Sequence, residues 1–338
     1  MFERYEKQIN YEKIGQKGQE LLQKSRVLIV GCGALGTVVA NNLVRMGIGH
    51  IRFVDRDFVE LTNLHRQILF DEEDVSKNMP KAKAAEQKLR KINSEVTIEG
   101  IVKEVNSRTI EGFIEGMDLI IDCTDNFKTR FLINDAAFKN NLPWIYGGAL
   151  GTSGMIKVFI PEEKTGCLQC MIPKPPDSGA LPTCDTAGVI NTLTAVVGAL
   201  ESNEALKYLL GTKEEVEKDL VFMDLWDNTF KKIPQGKKED CPCCAKETYT
   251  YLEDKKPEAT YICGQNSIQI NLGHENMNLE EIQKRLESNN IPTRRNPYLL
   301  SFEAEAVEIK VFKDGRAIMK NAKNEEVAKS IYAKYIGY

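Results

Sequence analysis

The sequence lacks the features that would place the chain in a membrane, in a secretory pathway or on a nucleic acid. None of its apolar runs is long enough to span a bilayer, and residues 1–7 contain no apolar signal core. The net charge is −4, so no excess of basic residues attracts nucleic acid. We therefore expect a cytoplasmic protein with no membrane and no nucleic-acid partner.

Cysteine, in contrast, is plentiful. The chain has nine cysteines. Disulfide frameworks persist in oxidising compartments, so nine cysteines in a cytoplasmic chain indicate metal binding or thiol chemistry instead.

The length of 338 residues suffices for one large α/β domain and a smaller one. Charged residues and a proline make 253–257 typical of a linker. We therefore predict a first domain over residues 1–250 and a small α/β domain over residues 257–338. Within the second domain, the pattern predicts strands at 259–270, 306–312 and 316–319 and helices at 278–288 and 324–335.

The first domain is organised around a strand that leads into a glycine-rich turn. Residues 27–30 are apolar and rich in β-branched side chains, which predicts a buried strand. Glycines follow in GxGxxG spacing, at Gly31, Gly33 and Gly36. A helix is predicted at 37–47, and a second strand at 51–54 ends in Asp55. This pattern is typical of a βαβ nucleotide-binding unit, in which phosphate approaches the helix N-terminus and the acidic residue suits ribose hydroxyls.

The remaining periodicity predicts a Rossmann-like, doubly wound sheet. Helices are predicted at 80–92, 126–140 and 187–210, and strands at 96–102, 118–122, 143–146, 155–160 and 221–226. Between them we predict a glycine-rich turn at 147–154, an irregular excursion at 161–190 and a basic loop at 231–238.

Polar side chains gather beyond the strands of this sheet, where open α/β sheets bind ligands. They are Asp55, Asp57, Asn63, Arg66, Gln67, Lys81 and Asp125. Two cations beside a glycine-rich turn suit a triphosphate, and Asp125 suits a magnesium ion between phosphate oxygens. The set predicts nucleotidyl transfer, in which a carboxylate attacks the α-phosphorus of ATP and pyrophosphate leaves. We expect Arg66 and Lys81 both to lie at the rim of the fold.

Other interpretations of the same residues stay open. The glycine turn is purely structural if no ligand binds there. Arg66 and Lys81, each considered alone, are typical of solvated surface charges. An NAD-type oxidoreductase uses the same βαβ unit, and a non-catalytic scaffold would bind nucleotide and partner only. The density of charge tells against hydride transfer, which needs one pyrophosphate site and an apolar nicotinamide slot.

Two CxxC pairs indicate a metal site. They are Cys167 with Cys170 and Cys241 with Cys244. Four thiolates in two such knuckles form a tetrahedral structural zinc site. Cys243 lies inside the second pair, so the choice of ligands there stays open, although the spacing favours Cys241 and Cys244. Unligated thiols are the alternative.

The other cysteines divide into one candidate nucleophile and three packing residues. Cys184 lies in the irregular excursion just before a predicted helix, whose N-terminus would lower its pKa. The alternative is an inert, partly buried cysteine. Cys32, Cys123 and Cys263 lie in or beside predicted elements and are expected to pack in the interior.

Taken together, these segments resemble the ThiF/MoeB family, the bacterial relatives of the ubiquitin-activating enzymes. The resemblance covers roughly residues 4–244. Its motifs are Arg4-Tyr5, Gly18-Gln19, the turn from Gly31 to Gly36, Asp55-x-Asp57-x-Val59-Glu60, Asn63-Leu64-His65-Arg66-Gln67, Pro80-Lys81, Asp122-Cys123-Thr124-Asp125-Asn126, the two CxxC pairs, and Cys184 with Ala187-Gly188.

The resemblance implies a homodimeric adenylyltransferase with structural zinc. Such proteins use ATP and magnesium to adenylylate the C-terminal glycine of a small ubiquitin-fold sulfur carrier, for thiamine or molybdopterin synthesis, and a cysteine desulfurase is a further expected partner. Which carrier is used stays open. The residues that the resemblance assigns to the nucleotide are Gly31, Gly33, Ala34, Asp55, Asp57, Asn63, Arg66, Gln67, Lys81, Asp125 and Asn126.

Within that set, the resemblance assigns ribose to Asp55 and magnesium to Asp125. It assigns the phosphates to Asn63, Arg66, Gln67 and Lys81. Cys184 matches a cysteine that bonds to the carrier through sulfur in ThiF-like enzymes. The chain departs from the family at Lys7, where relatives have an arginine that reaches the partner subunit's ATP. Lysine keeps the charge but loses the bidentate fork.

Overall fold

We describe the chain from a computed structural model. The structure describes residues 2–163, 165–177, 182–254, 260–262, 267–271 and 277–337. These residues belong to two compact units, 1–255 and 256–338, which are treated separately below.

The first unit contains one sheet of eight strands. In chain order they are β1 (Arg26–Val30), β2 (His50–Val54), β3 (Thr97–Ile101), β4 (Leu119–Asp122), β5 (Trp144–Leu150), β6 (Ser153–Phe159), β7 (Leu220–Asp224) and β8 (Thr229–Ile233). Their spatial order is β3-β2-β1-β4-β5-β6-β7-β8. The first five run parallel and the last three join antiparallel. The carboxyl ends of β1, β2, β4 and β5 therefore meet at one edge, which we call the ligand edge.

Helices cover both faces of this sheet, which confirms the predicted doubly wound α/β class. In chain order they are α1 (Glu6–Ile9), α2 (Gly15–Lys24), α3 (Ala34–Met46), α4 (Glu72–Ser76), α5 (Lys81–Ile92), α6 (Ile110–Ile114), α7 (Phe127–Lys139), α8 (Leu168–Met171), α9 (Cys184–Ala187), α10 (Asn191–Leu209) and α11 (Thr250–Glu253). Strand β1 shows the two layers. Val27 and Ile29 pack with α3, α5 and α10, whereas Leu28 and Val30 pack with α6 and α7.

Three predicted elements of the first unit were wrong. The glycine-rich run at 147–154 is not a turn, because strands β5 and β6 extend through it and leave only residues 151–152 between them. The predicted helix at 187–210 begins later: α9 ends at Ala187, Gly188 has a φ of +74°, and α10 starts at Asn191. The predicted loop at 231–238 starts inside β8.

Close packing explains the glycines in the strands. A Cβ atom on Gly147 would collide with the carboxyl group of Glu201, and one on Gly154 would lie 2.6 Å from Val197. Both contacts come from α10, which crosses this part of the sheet. Glycine therefore serves a close helix–sheet approach here rather than a turn.

The second unit contains a six-stranded antiparallel sheet and two helices. Its elements are β9 (Thr260–Ile262), β10 (Ser267–Asn271), α12 (Leu279–Ser288), β11 (Thr293–Arg295), β12 (Leu299–Ala304), β13 (Val307–Phe312), β14 (Arg316–Lys320) and α13 (Glu325–Tyr335). The spatial order is β11-β12-β13-β14-β10-β9. Side chains of β12 and β13 pack with both helices in one core.

Two predictions for this unit need correction. The single strand predicted at 259–270 is a pair, because β9 and β10 lie antiparallel. Strands β11 and β12 were missed. Cys263 lies outside the described residues. Within the described part of both units, we find no helix that is long and apolar enough to cross a membrane.

Candidate active site

The glycine turn lies at the ligand edge between β1 and α3. Gly31 has a φ of +92°, and a Cβ atom there would lie 2.7 Å from the carbonyl oxygen of Cys123. A Cβ atom on Gly36 would collide with the carbonyl group of Gly31. Helix α3 begins at Ala34, directly after Gly33, so its first backbone N–H groups face this edge. The turn therefore presents N–H donors and no side-chain bulk, as phosphate binding requires.

Asp55 orders the turn from the end of β2. Its two carboxylate oxygens accept hydrogen bonds from the backbone N–H groups of Cys32 and Asp57, each at 2.7 Å. Burial raises the pKa of Asp55, and the charge of Asp57 adds to the rise. A carboxylate has more lone pairs than these two bonds use, so Asp55 keeps acceptor capacity for ribose hydroxyls.

Lys81 lies among carboxylates rather than at the rim, so the expected exposed position was wrong. Its residue is 8% exposed, and its Nζ lies 3.3 Å from Oδ2 of Asp57. Burial alone would lower the pKa of Lys81, but Asp57, Asp55 and Asp125 outweigh it and raise the pKa above its usual value. The ammonium group of Lys81 is therefore stabilised in its charged form at the ligand edge, among three of the predicted acidic residues.

The loop after β2 carries the other predicted phosphate ligands. Asn63 accepts a hydrogen bond from the backbone N–H of Glu60 at 3.2 Å. Arg66 donates to the carbonyl of Thr62 at 2.9 Å and is partly exposed. Gln67 is 4% exposed and lies against Gly33, and its Oε1 atom has no hydrogen-bond partner among the described residues. A buried amide oxygen without a partner is costly, which favours a ligand or water there.

The loop after β4 presents Asp125 to solvent. The next residue, Asn126, caps α7, because its side-chain oxygen accepts from the N–H of Thr129 at 2.9 Å. The Asn126 oxygen is thus already engaged by the helix. Asp125 remains as the exposed carboxylate of this loop, next to the cation Lys81.

Two buried residues behind this loop were missed by sequence reasoning. Arg130 forms an ion pair with Asp122 at 3.2 Å, with both side chains buried. Glu201 is fully buried, and neither carboxyl oxygen has a partner among the described residues. Burial raises the pKa of Glu201, and Asp122 adds to the rise. Arg130 follows Asp125 by just over one helical turn, a signal that the sequence contained, whereas Glu201 gave none.

Lys7 is not brought to the site of its own chain. Tyr5 packs on Gly47 and accepts a hydrogen bond from Asn93 at 2.8 Å, which fixes the N-terminal segment near the C-terminal end of α3. The glycine turn is at the other end of α3, about 20 Å away for a helix of this length. The side chain of Lys7 is 87% exposed and pairs only with Glu6 among the described residues.

The four paired cysteines come together away from the ligand edge. The Sγ atoms of Cys167, Cys170, Cys241 and Cys244 all lie within 4.8 Å of one another. In a tetrahedral zinc–thiolate site the sulfur atoms are about 3.8 Å apart, so the spacing fits zinc after a small contraction. Cys243 instead accepts a hydrogen bond from Asn134 at 3.2 Å. Burial raises the pKa of Cys241 to about 11.

Cys184 is the first residue of α9. The segment after α9 pairs with the turn between β5 and β6, where the N–H of Gly151 donates to the carbonyl of Gly188 at 2.9 Å. This turn lies beyond the carboxyl end of β5, so the backbone of α9 is near the ligand edge. The side chain of Cys184 is not among those that the structure describes. Cys32 and Cys123 are buried in the core, as predicted.

Comparison with known proteins identifies the family. The sequence model of the ThiF family matches residues 5–243. The sulfur carrier protein ThiS adenylyltransferase of Bacillus subtilis is 39% identical over 338 residues, which is 99% of either chain. The sulfur carrier protein adenylyltransferase of Thermus thermophilus is 38% identical over 249 residues, covering 72% of this chain and 91% of that protein. The crystal structure of E. coli MccB with ATP shares the fold, with a TM-score of 0.63 at 24% identity over 71% of this chain and 74% of that one. The chain therefore belongs to the ThiF family.

Proposed function

We propose that the chain is an ATP-dependent adenylyltransferase that activates the C-terminal glycine of a ubiquitin-fold sulfur carrier. A carrier of the ThiS type is favoured over the MoaD type, because a relative that matches 99% of this chain is named a sulfur carrier protein ThiS adenylyltransferase. The observation that carries the proposal is the meeting of the glycine turn, Lys81 and Asp125 at one edge of the sheet.

The reaction follows from these positions. A carboxylate oxygen of the carrier attacks the α-phosphorus of ATP, the bond from that phosphorus to the bridging oxygen breaks, and pyrophosphate leaves with the electron pair. Backbone N–H groups at Gly33 and Ala34 approach the phosphates, and Gly31, whose own N–H donates to the carbonyl of Val54, keeps the turn free of side-chain bulk. Asp55 accepts from the ribose. Arg66 and Lys81 offset the charge that builds on the leaving group, with Asn63 and Gln67 as further polar contacts. Such chemistry depends on positioning and electrostatics and needs no general base.

Two metal ions belong to this proposal. Asp125 would hold magnesium together with phosphate oxygens, and an exposed carboxylate beside a phosphate site fits that ion. Magnesium there supplies positive charge to the phosphate oxygens. The four clustered cysteines fit zinc, which would link the segment after β6 to the segment after β8.

The remaining assignments concern assembly. Lys7 cannot serve its own glycine turn, so we propose a homodimer in which it faces the ATP of the partner subunit. Cys184 would act after adenylylation, through sulfur, with a cysteine desulfurase as the sulfur source. Residues 1–250 would form the adenylylation domain and residues 257–338 a separate domain, in a cytoplasmic protein.

The mass of the carrier after reaction, together with any NAD bound to the purified protein, distinguishes the proposed function from its alternatives. The carrier encoded nearest this gene is incubated with the protein, ATP and magnesium, and its intact mass is measured. We expect a mass increase of one adenylyl group at the C-terminal glycine, absent when that glycine is deleted. A non-catalytic scaffold would leave the carrier unchanged, and an oxidoreductase would instead carry bound NAD after purification.

A further inference from the structure

One buried guanidinium connects three segments of the ligand edge. Arg130 lies on α7 with its side chain 8% exposed, and its Nε is 3.2 Å from Oδ2 of Asp122 at the end of β4. Its Nη2 donates to the carbonyl of Thr124 at 2.7 Å and to the carbonyl of Gly147 at 2.9 Å. A single side chain thus ties the end of β4, the loop after it and strand β5 together.

Further hydrogen bonds restrain the residues on either side of Asp125. On one side, Asp122 accepts from both the backbone N–H of Thr124, at 3.0 Å, and its hydroxyl group, at 2.6 Å. On the other side, Asn126 is held as the cap of α7. Asp125 is therefore an exposed carboxylate on a loop whose two neighbouring residues are both restrained.

The surroundings of Arg130 leave it little room to move. The ring centre of Tyr146 is 4.8 Å from its guanidinium carbon, and that of Phe127 is 5.3 Å away. Strand β5 is also fixed from the opposite face, because Glu201 packs against Gly147. The carbonyl of Gly147 is thus a stationary anchor for Arg130.

We infer that Arg130 is a positioning residue for adenylyl transfer. By fixing the loop after β4, it holds the carboxylate of Asp125 where that group faces both Lys81 and the phosphates of ATP. The inference rests on the proposed function and adds a role for a side chain that touches neither substrate nor metal. It separates the charge of Arg130, which balances Asp122, from its forked shape, which lets Nε bind Asp122 while Nη2 reaches the two carbonyl groups.

Arg52 provides a matched control. It also pairs with a carboxylate, Glu99, at 2.7 Å, and also donates to a carbonyl, that of Phe113, at 2.8 Å. It lies in the middle of β2, away from the ligand edge. Arg52→Lys therefore measures how much stability the fold loses when lysine replaces a forked guanidinium group away from the ligand edge.

The test compares Arg130→Lys with Arg52→Lys in the full chain. Both variants are expected to lose thermal stability. Only Arg130→Lys should also lower kcat for carrier-dependent pyrophosphate exchange, by about 10²-fold, as for a displaced catalytic group. At saturating magnesium its KM for ATP should change less than about twofold, since the phosphate ligands are untouched and excess metal offsets the weaker metal binding. The magnesium concentration for half-maximal exchange should rise several-fold.

A second variant guards against misfolding. Asp122→Asn combined with Arg130→Gln removes both buried charges together, which is tolerated better than removing one. The double variant should fold and show the same loss of kcat, because the shorter glutamine side chain does not extend to the position of Nη2.

A binding measurement separates this inference from the proposed function. ATP affinity is measured by calorimetry with and without magnesium and without any carrier. We expect magnesium to strengthen ATP binding by the wild type and by Arg52→Lys, and to do so much less for Arg130→Lys, whose metal-free affinity is unchanged. If that holds while the wild type catalyses no exchange, the proposed function fails, but the role of Arg130 in positioning Asp125 toward magnesium and ATP stands. If Arg130→Lys matches Arg52→Lys in kcat and in magnesium dependence, the inference is wrong.

Discussion

Arg66 and Lys81 carry the same charge in different surroundings, and alanine substitutions should separate the consequences. Arg66 is partly exposed and forms no ion pair with any described residue, whereas Lys81 is buried beside Asp57. Each substitution should lower the adenylylation rate by about 10²-fold, as for the loss of an electrostatic stabiliser. Arg66→Ala should keep the wild-type melting temperature. Lys81→Ala should lower it, because the carboxylates around it are left uncompensated.

Pyrophosphate exchange and thermal denaturation of both variants check this prediction. Wild-type exchange by either variant would contradict the assignment of that residue to the phosphates. Equal melting temperatures for the two would show that Lys81 does not balance the acidic cluster.

Asp125 and Cys184 should act at different steps. Asp125→Ala should abolish exchange, because the carboxylate proposed to hold magnesium is lost. Cys184→Ser should leave exchange nearly intact and remove only a later covalent or sulfur-transfer step, because a serine hydroxyl is a poor substitute for a thiolate. Exchange assays on both, with mass spectrometry for a carrier–enzyme adduct, measure the difference. A folded Cys184→Ser variant without exchange would refute the two-step order.

The residues of the site were far more predictable than their surroundings. The glycine turn, Asp55 and the loop with Arg66 follow directly from strands that the local pattern identifies, so their common edge could be inferred. The burial of Lys81 among carboxylates could not, because those carboxylates come from two segments distant in sequence, the loop after β2 and the loop after β4. Arg130 and Glu201 lie on helices whose packing against β5 is set by contacts distant in sequence.

At the level of elements, the helix–sheet contact at β5 should be intolerant of a single methyl group. Gly147→Ala would force its Cβ atom into the carboxyl group of Glu201, and overpacking of this kind costs about 1–3 kcal/mol. Gly112→Ala is the control, because no atom outside its chain neighbours and its own helix backbone lies within 4 Å of its Cβ position. Urea denaturation of both, and of Gly147→Ala combined with Glu201→Ala, tests the contact. The double variant should recover part of the loss, and purely additive losses would contradict this account.

The same contact shows why the predicted turn at 147–154 was wrong. Glycines interrupt a strand pattern in the local sequence, and a turn is the usual meaning of that interruption. Here the residue that requires glycine is Glu201, more than fifty positions later. Only the folded arrangement of α10 over β5 reveals it.

The cysteine cluster allows a second prediction at this level. Cys170→Ser should remove bound zinc and lower thermal stability, whereas Cys243→Ser should keep the metal, because Cys243 bonds to Asn134 outside the set of four. Elemental analysis should give about one zinc per chain in the wild type and in Cys243→Ser. A wild-type preparation that stays folded and active without metal would refute the zinc assignment.

At the scale of the whole molecule, local periodicity predicted the α/β class and the doubly wound sheet because β1 and β4 are continuous apolar strands between helices. Local periodicity could not predict the antiparallel strands at the end of that sheet, because β8 is exposed and basic, a pattern that is typical of a loop. In the second unit, β11 and β12 are short or interrupted by polar residues, which hides their alternation.

The most direct test of the central claim is carrier-dependent exchange of labelled pyrophosphate into ATP. The ligand edge is proposed to activate a carboxylate by attack on the α-phosphorus, and only that step returns labelled pyrophosphate to ATP. We predict exchange with the intact carrier, no exchange when its C-terminal glycine is removed, and none with Asp125→Ala. Exchange that is independent of the carrier, or its absence from a folded wild-type protein that binds both ATP and carrier, would contradict the account.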